Sequence, residues 1–418
     1  MTNSKHVPKR RFPDFEGEWE QKQLDELSTH RSGTAIENYF SKNGLYKVIS
    51  IGSYGLDGNY IDQGIRAISN EITDNQVVKK NELTMVLNDK TSNGTIIGRT
   101  LLIDSSDEFV VNQRTEIITP KNVFNPLFAF ALLNGKFRDK VKKIVQGGTQ
   151  IYVNYSSVKK LQLHIPNLIE QKQLGILFQT IDRLITLYQH KLDKLKNLKK
   201  SYLAELFPAE GERVPKRRFP GFEGEWEKKK LGEIMDVGSV KRVHQSDWRV
   251  NGVRFLRARD IVSEFKNAVS NDYLYIDEEL YKAYTTISGK VEKGDVLVTG
   301  VGTIGVPLLI KSDKPLYFKD GNIIWFKNKN KIDGYFFYYS FIGNTIQKFI
   351  GDVAGIGTVG TYTIDSGKNT PILLPKSKEE QILIGNFLKT LDNSITLQQQ
   401  KLDKLKDLKK AYLNELFV

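Results

Sequence analysis

The stretch HKLDKLKNLKKSYLAELFP, His190–Pro208, returns at the C-terminus as QKLDKLKDLKKAYLNELFV, Gln400–Val418. The offset is 210 residues, and it also relates Asp182 to Asp392. Apolar residues recur in steps of three and four through both copies, which predicts one long amphipathic helix in each half. An internal repeat decides the architecture before any local pattern does. The sequence therefore predicts one unit that is used twice.

A second repeat lies ahead of each half. The leading segments, Val7–Leu24 and Val214–Leu231, are identical at 15 of 18 positions. The basic cluster Lys9–Arg11 is read first as a solvated charge run beside a packed Trp19, and second as a phosphate contact or a localisation signal.

Between each leading segment and its helix lies a region of mixed pattern. In the first region, Asn125–Val145 has helical spacing and several short runs are rich in β-forming residues. The predicted strands are Tyr46–Ile51, Leu83–Leu87, Ile96–Ile103, Glu116–Ile118 and Lys160–Ile165. The second region repeats the first weakly, with Tyr335–Ile350 in place of the helix and Gly357-Thr358 in place of Gly148-Thr149.

These patterns predict an α+β fold of four parts. The expected divisions are a first globule at 1–165, a central spacer helix at 166–208, a second globule at 209–374 and a C-terminal spacer helix at 375–418. Asn167 with Glu170, and Ser377 with Glu380, have the spacing of a capping box. The side chains expected to pack the two helices together, in places as in a coiled coil, are Ile181, Ile185, Leu192, Leu195, Leu391, Ile395, Leu402 and Leu405.

The short link after the first helix restricts how the helices pack. Residues 170–207 span about 55 Å as a helix, whereas the roughly ten residues that follow Pro208 reach only about 35 Å. A parallel pair would need the chain to return along the whole helix, so we expect antiparallel packing and pseudo-twofold symmetry. Two unlike globules at a fixed separation are suited to two half-sites on one face of a DNA duplex, which lie about 34–36 Å or a multiple apart.

Composition restricts the class of partner. The net charge of +13 favours a polyanion such as nucleic acid. With no cysteine, the chain has neither a disulfide framework nor a thiolate metal site. The sequence shows no signal peptide or apolar span, so the expected location is cytoplasmic.

No stretch predicts chemistry in this chain. Gly300–Gly305 has the formal pattern G-x-G-x-x-G, but Pro307 and Leu308–Ile310 follow it, which indicates strand–turn–strand instead of the helix that a dinucleotide site needs. The five histidines have no metal-ligand spacing. Catalytic residues and metal ligands are therefore predicted to be absent.

The sequence resembles the DNA-specificity subunits of type I restriction–modification systems. The resemblance lies in the helix starts IPNLIEQ (Ile165–Gln171) and LPKSKEEQ (Leu374–Gln381), and in the globule motifs GDVLVTGVGTIG (Gly294–Gly305) and GGTQ (Gly147–Gln150). It extends over essentially the whole chain. The first globule departs from the second motif, with NELTMVLNDKTSNGTIIG in its place.

The resemblance implies that each globule is a target-recognition domain for one half of a bipartite, asymmetric DNA site, and that the helix pair sets the gap. It implies docking of two adenine-methylating modification subunits, which restriction subunits join. S-adenosylmethionine, ATP and magnesium belong to those partners, so no cofactor is expected in this chain.

Candidate DNA-binding residues are polar side chains near turns, because Arg and Lys read guanine edges and Asn and Gln read adenine edges. They are Arg66, Lys79, Lys80, Lys90, Asn93, Arg99, Gln113, Arg114, Gln150 and Tyr152 in the first globule, and Lys241, Arg242, Arg254, Arg257, Arg259, Lys319 and Asn322 in the second. Arg257 and Arg259 alternate with Leu256 and Ala258, which predicts a strand with one basic face. The alternative functions are a self-associating structural protein and an independent enzyme.

Overall fold

The computed structural model describes residues 6–266, 268, 272–355 and 360–418. Gly357 and Thr358, which the sequence matches to Gly148 and Thr149, lie outside these residues. The chain divides into two compact units. Unit 1 comprises Met1–Gln189 with Gln400–Val418, and unit 2 comprises His190–Gln399. Each long helix therefore contributes its first half to one unit and its second half to the other.

Unit 1 contains twelve short strands in its described residues. The strands are β1 (Glu20–Gln23), β2 (Ser28–Ser32), β3 (Tyr46–Ile49), β4 (Arg66–Ala67), β5 (Leu83–Val86), β6 (Asn88–Asp89), β7 (Thr100–Leu102), β8 (Phe109–Val111), β9 (Thr115–Pro120), β10 (Gln146–Gly147), β11 (Ile151–Tyr152) and β12 (Gln162–Ile165). The helices are α1 (Leu24–Leu27), α2 (Glu71–Asp74), α3 (Pro126–Asn134), α4 (Lys136–Lys142), α5 (Tyr155–Val158) and the long α6 (Leu168–Glu205).

Unit 2 repeats much of this succession, with fewer strands among the residues that are described. The strands are β13 (Glu227–Lys230), β14 (Asp236–Gly238), β15 (Val253–Leu256), β16 (Leu274–Ile276), β17 (Val296–Thr299), β18 (Pro307–Leu309), β19 (Leu316–Phe318), β20 (Ile323–Lys327) and β21 (Pro371–Leu374). The helices are α7 (Leu231–Ile234), α8 (Ala258–Phe265), α9 (Glu278–Ser288), α10 (Gly334–Ile342), α11 (Asn344–Val353), α12 (Ile364–Asn369) and the long α13 (Lys378–Glu415).

The main sheets of the two units have the same strand order and register. Unit 1 has the order β2-β9-β5-β7 and unit 2 the order β14-β20-β17-β18. Ile118 of β9 pairs with His30 on one side and Leu83 on the other. Phe326 of β20 pairs likewise with Val237 and Val296. Positions in the two units can therefore be matched strand by strand.

A second sheet lies beside each main sheet. Its order is β4-β3-β8 in unit 1 and β16-β15-β19 in unit 2, and in both the last pair is parallel. Unit 1 also has a small sheet, β10-β11-β6. Each globule is joined to its helices through one antiparallel ladder, β1 with β12 or β13 with β21.

The core of each unit combines the globule with the ends of both long helices. In unit 1, Trp19, Phe128 and Phe178 pack with Phe417 at 5.3–6.1 Å between ring centres. In unit 2, Trp226 and Phe336 pack with Phe207. Burial of such rings is the main favourable term in folding, so each helix end is fixed by its globule.

Each predicted globule helix is two helices. Residues 125–145 form α3 and α4, which are separated at Gly135, and residues 335–350 fall in α10 and α11, which are separated at Gly343. The expected strand–turn–strand at Gly300–Gly305 is confirmed, because β17 and β18 flank it and pair antiparallel.

The predicted capping boxes are half correct. Asn167 caps α6 by accepting the backbone N–H groups of Ile169 and Glu170. The carboxylate of Glu170 does not reach back to the cap, because the guanidinium of Arg11 binds both of its oxygens at 2.8 Å. Glu380 is held in the same way by Arg218. The carboxylates are only 1% exposed, so the leading segment supplies their partner.

The arginine that directly precedes Arg11 or Arg218 binds the end of the other long helix. Arg10 pairs with Glu415 of α13, and Arg217 pairs with Glu205 of α6. Both arginines of the cluster therefore make intramolecular contacts. The reading as a solvated charge run was wrong for Arg11, whose side chain is 12% exposed, whereas Arg10 keeps 59% of its side chain exposed. Each leading segment ties the start of one long helix to the end of the other.

Within each unit the two long helices are antiparallel. In unit 1, Phe178 of α6 contacts Phe417, and Asp182, one turn later, contacts Lys409. Residue numbers therefore increase along α6 while those of the contacted residues decrease. In unit 2, the matching bridge joins Lys199 and Asp392 at 2.6 Å. The predicted α+β class with two long antiparallel helices is confirmed. No helix among the described residues is long and apolar enough to cross a membrane.

Candidate nucleic-acid interface

Several candidate residues of unit 1 lie on one glycine loop between β5 and β7. Lys90 and Asn93 are exposed there, and the Asn93 side chain accepts the backbone N–H of Thr95. Arg138 holds the loop in place by donating to the carbonyl oxygens of Gly94, Thr95 and Ile97. Burial lowers the pKa of Arg138 to about 10, and the residue therefore acts as an internal support.

Unit 2 has the matching loop between β17 and β18. Gln347 of α11 donates to the carbonyl oxygen of Gly305, where unit 1 uses Arg138 of α4. Gly98 and Gly305 both have left-handed backbones, with φ of 70° and 77°. A Cβ on Gly98 would lie 2.8 Å from Val141 Cγ1, and one on Gly305 would lie 3.1 Å from Ile350. Glycine is therefore needed at both positions for the close approach of loop and helix.

Other candidates of unit 1 lie on two neighbouring features. Gln113 and Arg114 form the turn between β8 and β9, where Arg114 has a φ of 65°. The side chain of Gln113 donates to Glu37, whereas the exposed guanidinium of Arg114 binds no side chain among the described residues. Tyr152 lies on β11 with 41% of its side chain exposed, and Gln150 precedes it on the exposed turn. Arg114 and Tyr152 line the same cavity.

The remaining candidates of unit 1 have structural partners or lie apart. Arg66, on β4, makes a two-pronged bond with Asp62, which lowers the pKa of that carboxyl to about 2. Arg99 donates to the carbonyl oxygens of Thr95 and Leu56. Lys79 and Lys80 are exposed on the turn before β5. The structure therefore does not bring all ten candidates together.

In unit 2 the candidates gather around acidic side chains. Arg242 and Lys319 both approach Asp320, and the Lys241 ammonium lies over the ring of Tyr284. Asn322 is half-buried next to this group and accepts the backbone N–H of Gly300 through its own carbonyl.

Three arginines on β15 and directly after it form a second group. Arg254 lies on the strand, with its guanidinium 4.1 Å from the ring centre of Tyr273. Arg257 caps α8 and binds Asp260 at 3.0 Å, and both Arg257 and Arg259 bind Asp272. The predicted strand with a basic face was wrong, because the chain turns into a helix at Ala258 once Asp260 accepts the backbone N–H of Arg257. Arg259 is the most exposed of the three, at 60%.

The side chains expected to pack the helices are buried to different extents. Ile181, Leu192, Leu391 and Leu402 are buried, and Ile185, Leu195, Ile395 and Leu405 are half-buried. Each first-helix position matches its second-helix counterpart in burial. No three His, Asp or Glu side chains in the described part of the chain are arranged to hold a metal ion.

Sequence reasoning missed His30, Glu116 and Lys159, which meet in the cavity that Arg114 and Tyr152 line. Glu116 lies on a central strand of the main sheet and is only 1% exposed. The available signal was a carboxylate within the run TEIIT, where the matching position of unit 2 is the apolar Ile324.

Comparison with known proteins decides the family. The model of the type I restriction modification DNA specificity domain matches residues 16–197 and again residues 223–407. The chain belongs to the type I specificity-subunit family. Members of this family are the non-catalytic, DNA-recognising subunits of type I restriction–modification systems.

The two matches of the specificity domain reproduce the internal repeat. The chain is 25% identical over 378 residues to the type I restriction enzyme MjaVIII specificity subunit of Methanocaldococcus jannaschii, which covers 86% of this chain and 84% of that protein. The fold of this chain is similar to that of the type I restriction–modification S subunit from M. genitalium, with a TM-score of 0.67 at 17% identity over 99% of both chains. A chain from a study of type I complex assembly and conformational transition matches with a TM-score of 0.51 at 16% identity, over 97% of this chain and 98% of that chain.

Proposed function

We propose that the two globules of this specificity subunit read the two halves of a bipartite, asymmetric DNA site, with residues 1–165 and 209–374 as the target-recognition domains. The observation that carries the proposal is the contrast within the repeat. The two leading segments and the two long helices, together called the helix frame, repeat their buried ion pairs and aromatic contacts in both units. The exposed polar groups of the globules differ. A common frame with two unlike polar surfaces fits a target whose halves differ in sequence.

Bases are read by different groups in the two halves. In unit 1, the exposed side chains of Arg114, Tyr152, Lys90 and Asn93 are the proposed base-reading groups. In unit 2, Arg259 and its neighbours supply a guanidinium cluster that Asp260 and Asp272 orient. Guanidinium groups pair with the O6 and N7 atoms of guanine, while the more distant lysines hold phosphates without reading sequence.

The long helices set the gap between the half-sites and bind the modification subunits. Along α6, Ile169, Ile176 and Leu187 are 56–67% exposed and fall within about 20° of one line on the helix surface, at 100° per residue. A row of large apolar side chains on an exposed helix face is typical of a surface that another protein covers. The adenine-methylating subunits are the proposed occupants, restriction subunits join them, and the chain works in the cytoplasm. S-adenosylmethionine, ATP and magnesium are bound by those partners.

The test is to produce the chain with its modification subunits and to map methylated adenines across a genome. The expected result is one motif of two specified halves with a fixed unspecified gap. Arg259→Ala should relax one half and Arg114→Ala the other, each by about 1–3 kcal/mol of base discrimination. A contiguous motif, or equal loss at both halves from either variant, contradicts the proposal. Binding without any sequence preference would favour a structural role.

Partner docking has its own test. Ile176→Asp places a charge on the exposed apolar row and should abolish co-purification of the modification subunits, while DNA binding by the chain alone persists. Ile176→Val keeps the apolar surface and serves as the matched control. Unchanged co-purification of the aspartate variant would place the docking surface elsewhere.

A further inference from the structure

The cavity that Arg114 and Tyr152 line in unit 1 has a volume of about 510 Å³. Its most deeply buried polar group is Glu116. Its accessible polar groups include Arg114, Tyr152 and Lys159. The cavity is therefore open to solvent, and two of its accessible side chains, Arg114 and Tyr152, are proposed to contact DNA.

A polar network fixes the orientation of its groups. His30 Nδ1 donates to Glu116 Oε1 at 2.6 Å, and Ser32 donates to Oε2 at 2.8 Å. When neutral His30 keeps its proton on Nδ1 for this hydrogen bond, Nε2 is the acceptor, and this atom lies 3.4 Å from the Lys159 ammonium. The imidazole also lies against the ring of Tyr155, with 4.7 Å between ring centres. The lysine head is thereby held at the cavity by an exposed histidine that a buried carboxylate orients.

Unit 2 shows that the fold does not need this pair. The matched strand registers place Val237 at the position of His30 and Ile324 at the position of Glu116. Both are buried, at 3% and 4% exposure. The same two sheet positions thus carry a buried apolar pair in unit 2, and an exposed histidine bonded to a buried carboxylate in unit 1.

Burying a carboxylate is costly, and an apolar pair of similar volume serves the fold as well or better. Departures from the local rule for a core are expected at functional sites. Since the departure occurs in one unit only, its function concerns the half-site that unit 1 reads.

We infer that this cavity receives a guanine edge of that half-site, with Lys159 as a base-reading residue and the His30–Glu116 pair as the group that positions it. The inference rests on the proposed function and names the base-reading site of unit 1. Guanine offers two acceptors, O6 and N7, in the major groove, and Lys159 and Arg114 are donors without acceptor capacity. Tyr152 supplies an exposed aromatic face beside them.

The experiment is selection of the full chain on a randomised duplex library, with sequencing of the bound fraction. The variants are Lys159→Ala, Lys159→Arg and the double variant His30→Val with Glu116→Ile, which copies the pair of unit 2 and so keeps the sheet packed. Lys160→Ala is the matched control, since Lys160 is an exposed neighbour that does not line the cavity.

Wild type should select two half-sites. Lys159→Ala should lose about 5- to 150-fold of discrimination for guanine at one position of one half. The other half and the Lys160→Ala motif should stay unchanged. Lys159→Arg should retain the guanine preference. The double variant should lose it, although its thermal unfolding midpoint equals or exceeds that of wild type.

Other results overturn the inference. An unchanged motif for Lys159→Ala does so directly. Weaker binding to every sequence, with a salt dependence reduced by about one charge, makes Lys159 a phosphate contact. A double variant that keeps the motif rules out a positioning role for the His30–Glu116 pair. Absence of two half-sites in wild type is a different result, because it rejects the proposed function itself.

Discussion

The two neighbouring arginines of the second leading segment allow a buried ion pair to be compared with an exposed one in the same chain. Arg218 binds Glu380 through two bonds of 2.7 and 2.9 Å, with 14% and 1% of the side chains exposed. Arg217 binds Glu205 at 2.7 Å with 55% and 32% exposed, and lies over the ring of Tyr202. Both pairs join the leading segment to a long helix.

Arg218→Met leaves the Glu380 carboxylate buried without its partner, which costs about 3–5 kcal/mol. Arg217→Met removes an exposed pair that solvent screens and one cation–π contact, so it should cost much less than Arg218→Met. At a urea m-value of about 2 kcal/mol/M, the unfolding midpoint should fall by about 2 M for Arg218→Met and by clearly less for Arg217→Met. Trp226, in the core of the same unit, reports the transition by fluorescence.

A double variant separates the cost of a stranded charge from the net value of the pair. Arg218→Met with Glu380→Leu removes both charges and should recover most of the lost stability, because an apolar pair replaces a buried ion pair at little cost. Equal midpoint shifts for the two single arginine variants, or no recovery in the double variant, would refute the reasoning that burial makes this contact strong.

Two further predictions concern unit 1. Gly98→Ala should cost about 2–4 kcal/mol, since it adds contact with Val141 to the strain of a left-handed backbone, whereas Gly17→Ala has the same strain in open space and should cost about 1 kcal/mol. Equal losses in denaturant unfolding would rule out the packing contribution. Burial beside His6 lowers the pKa of His164 in the folded protein. The contribution of the neutral His164 to stability is therefore fully present above pH 6.5, the pKa of an ordinary histidine, and is lost as the pH falls below that value. The free energy of unfolding should therefore fall less for His164→Gln than for wild type between about pH 7.5 and about pH 5.5, and equal falls would contradict this.

The helix frame was predictable from the sequence because its signals are local or repeated. The spacing of Ile181, Leu192 and their counterparts gave the helices, and the copied leading segments gave the duplication. The antiparallel direction followed from the length of the link. The partner of Glu170 could not be predicted, because Arg11 lies 159 residues away and competes with the local cap.

The globules were less predictable for physical reasons. The alternation around Arg257 matched a strand, but a single hydrogen bond from its backbone to Asp260 starts a helix there. The pairing of His30 with Glu116 depends on sheet register across 86 residues. Side chains that meet only through register leave no pattern in a single sequence, and this limited the prediction of the site more than that of the fold.

The ladders β1–β12 and β13–β21 have a consequence for how such proteins change. The chain enters each globule and leaves it on adjacent strands, with Glu20 opposite Ile165 and Glu227 opposite Leu374. The points where the chain enters and leaves a globule are thus adjacent and are joined by backbone hydrogen bonds, so a globule can be exchanged as one cassette. Exchanging one cassette for another of different surface chemistry would alter the DNA sequence that the protein recognises. The ion pairs between the leading segments and the long helices would stay in place.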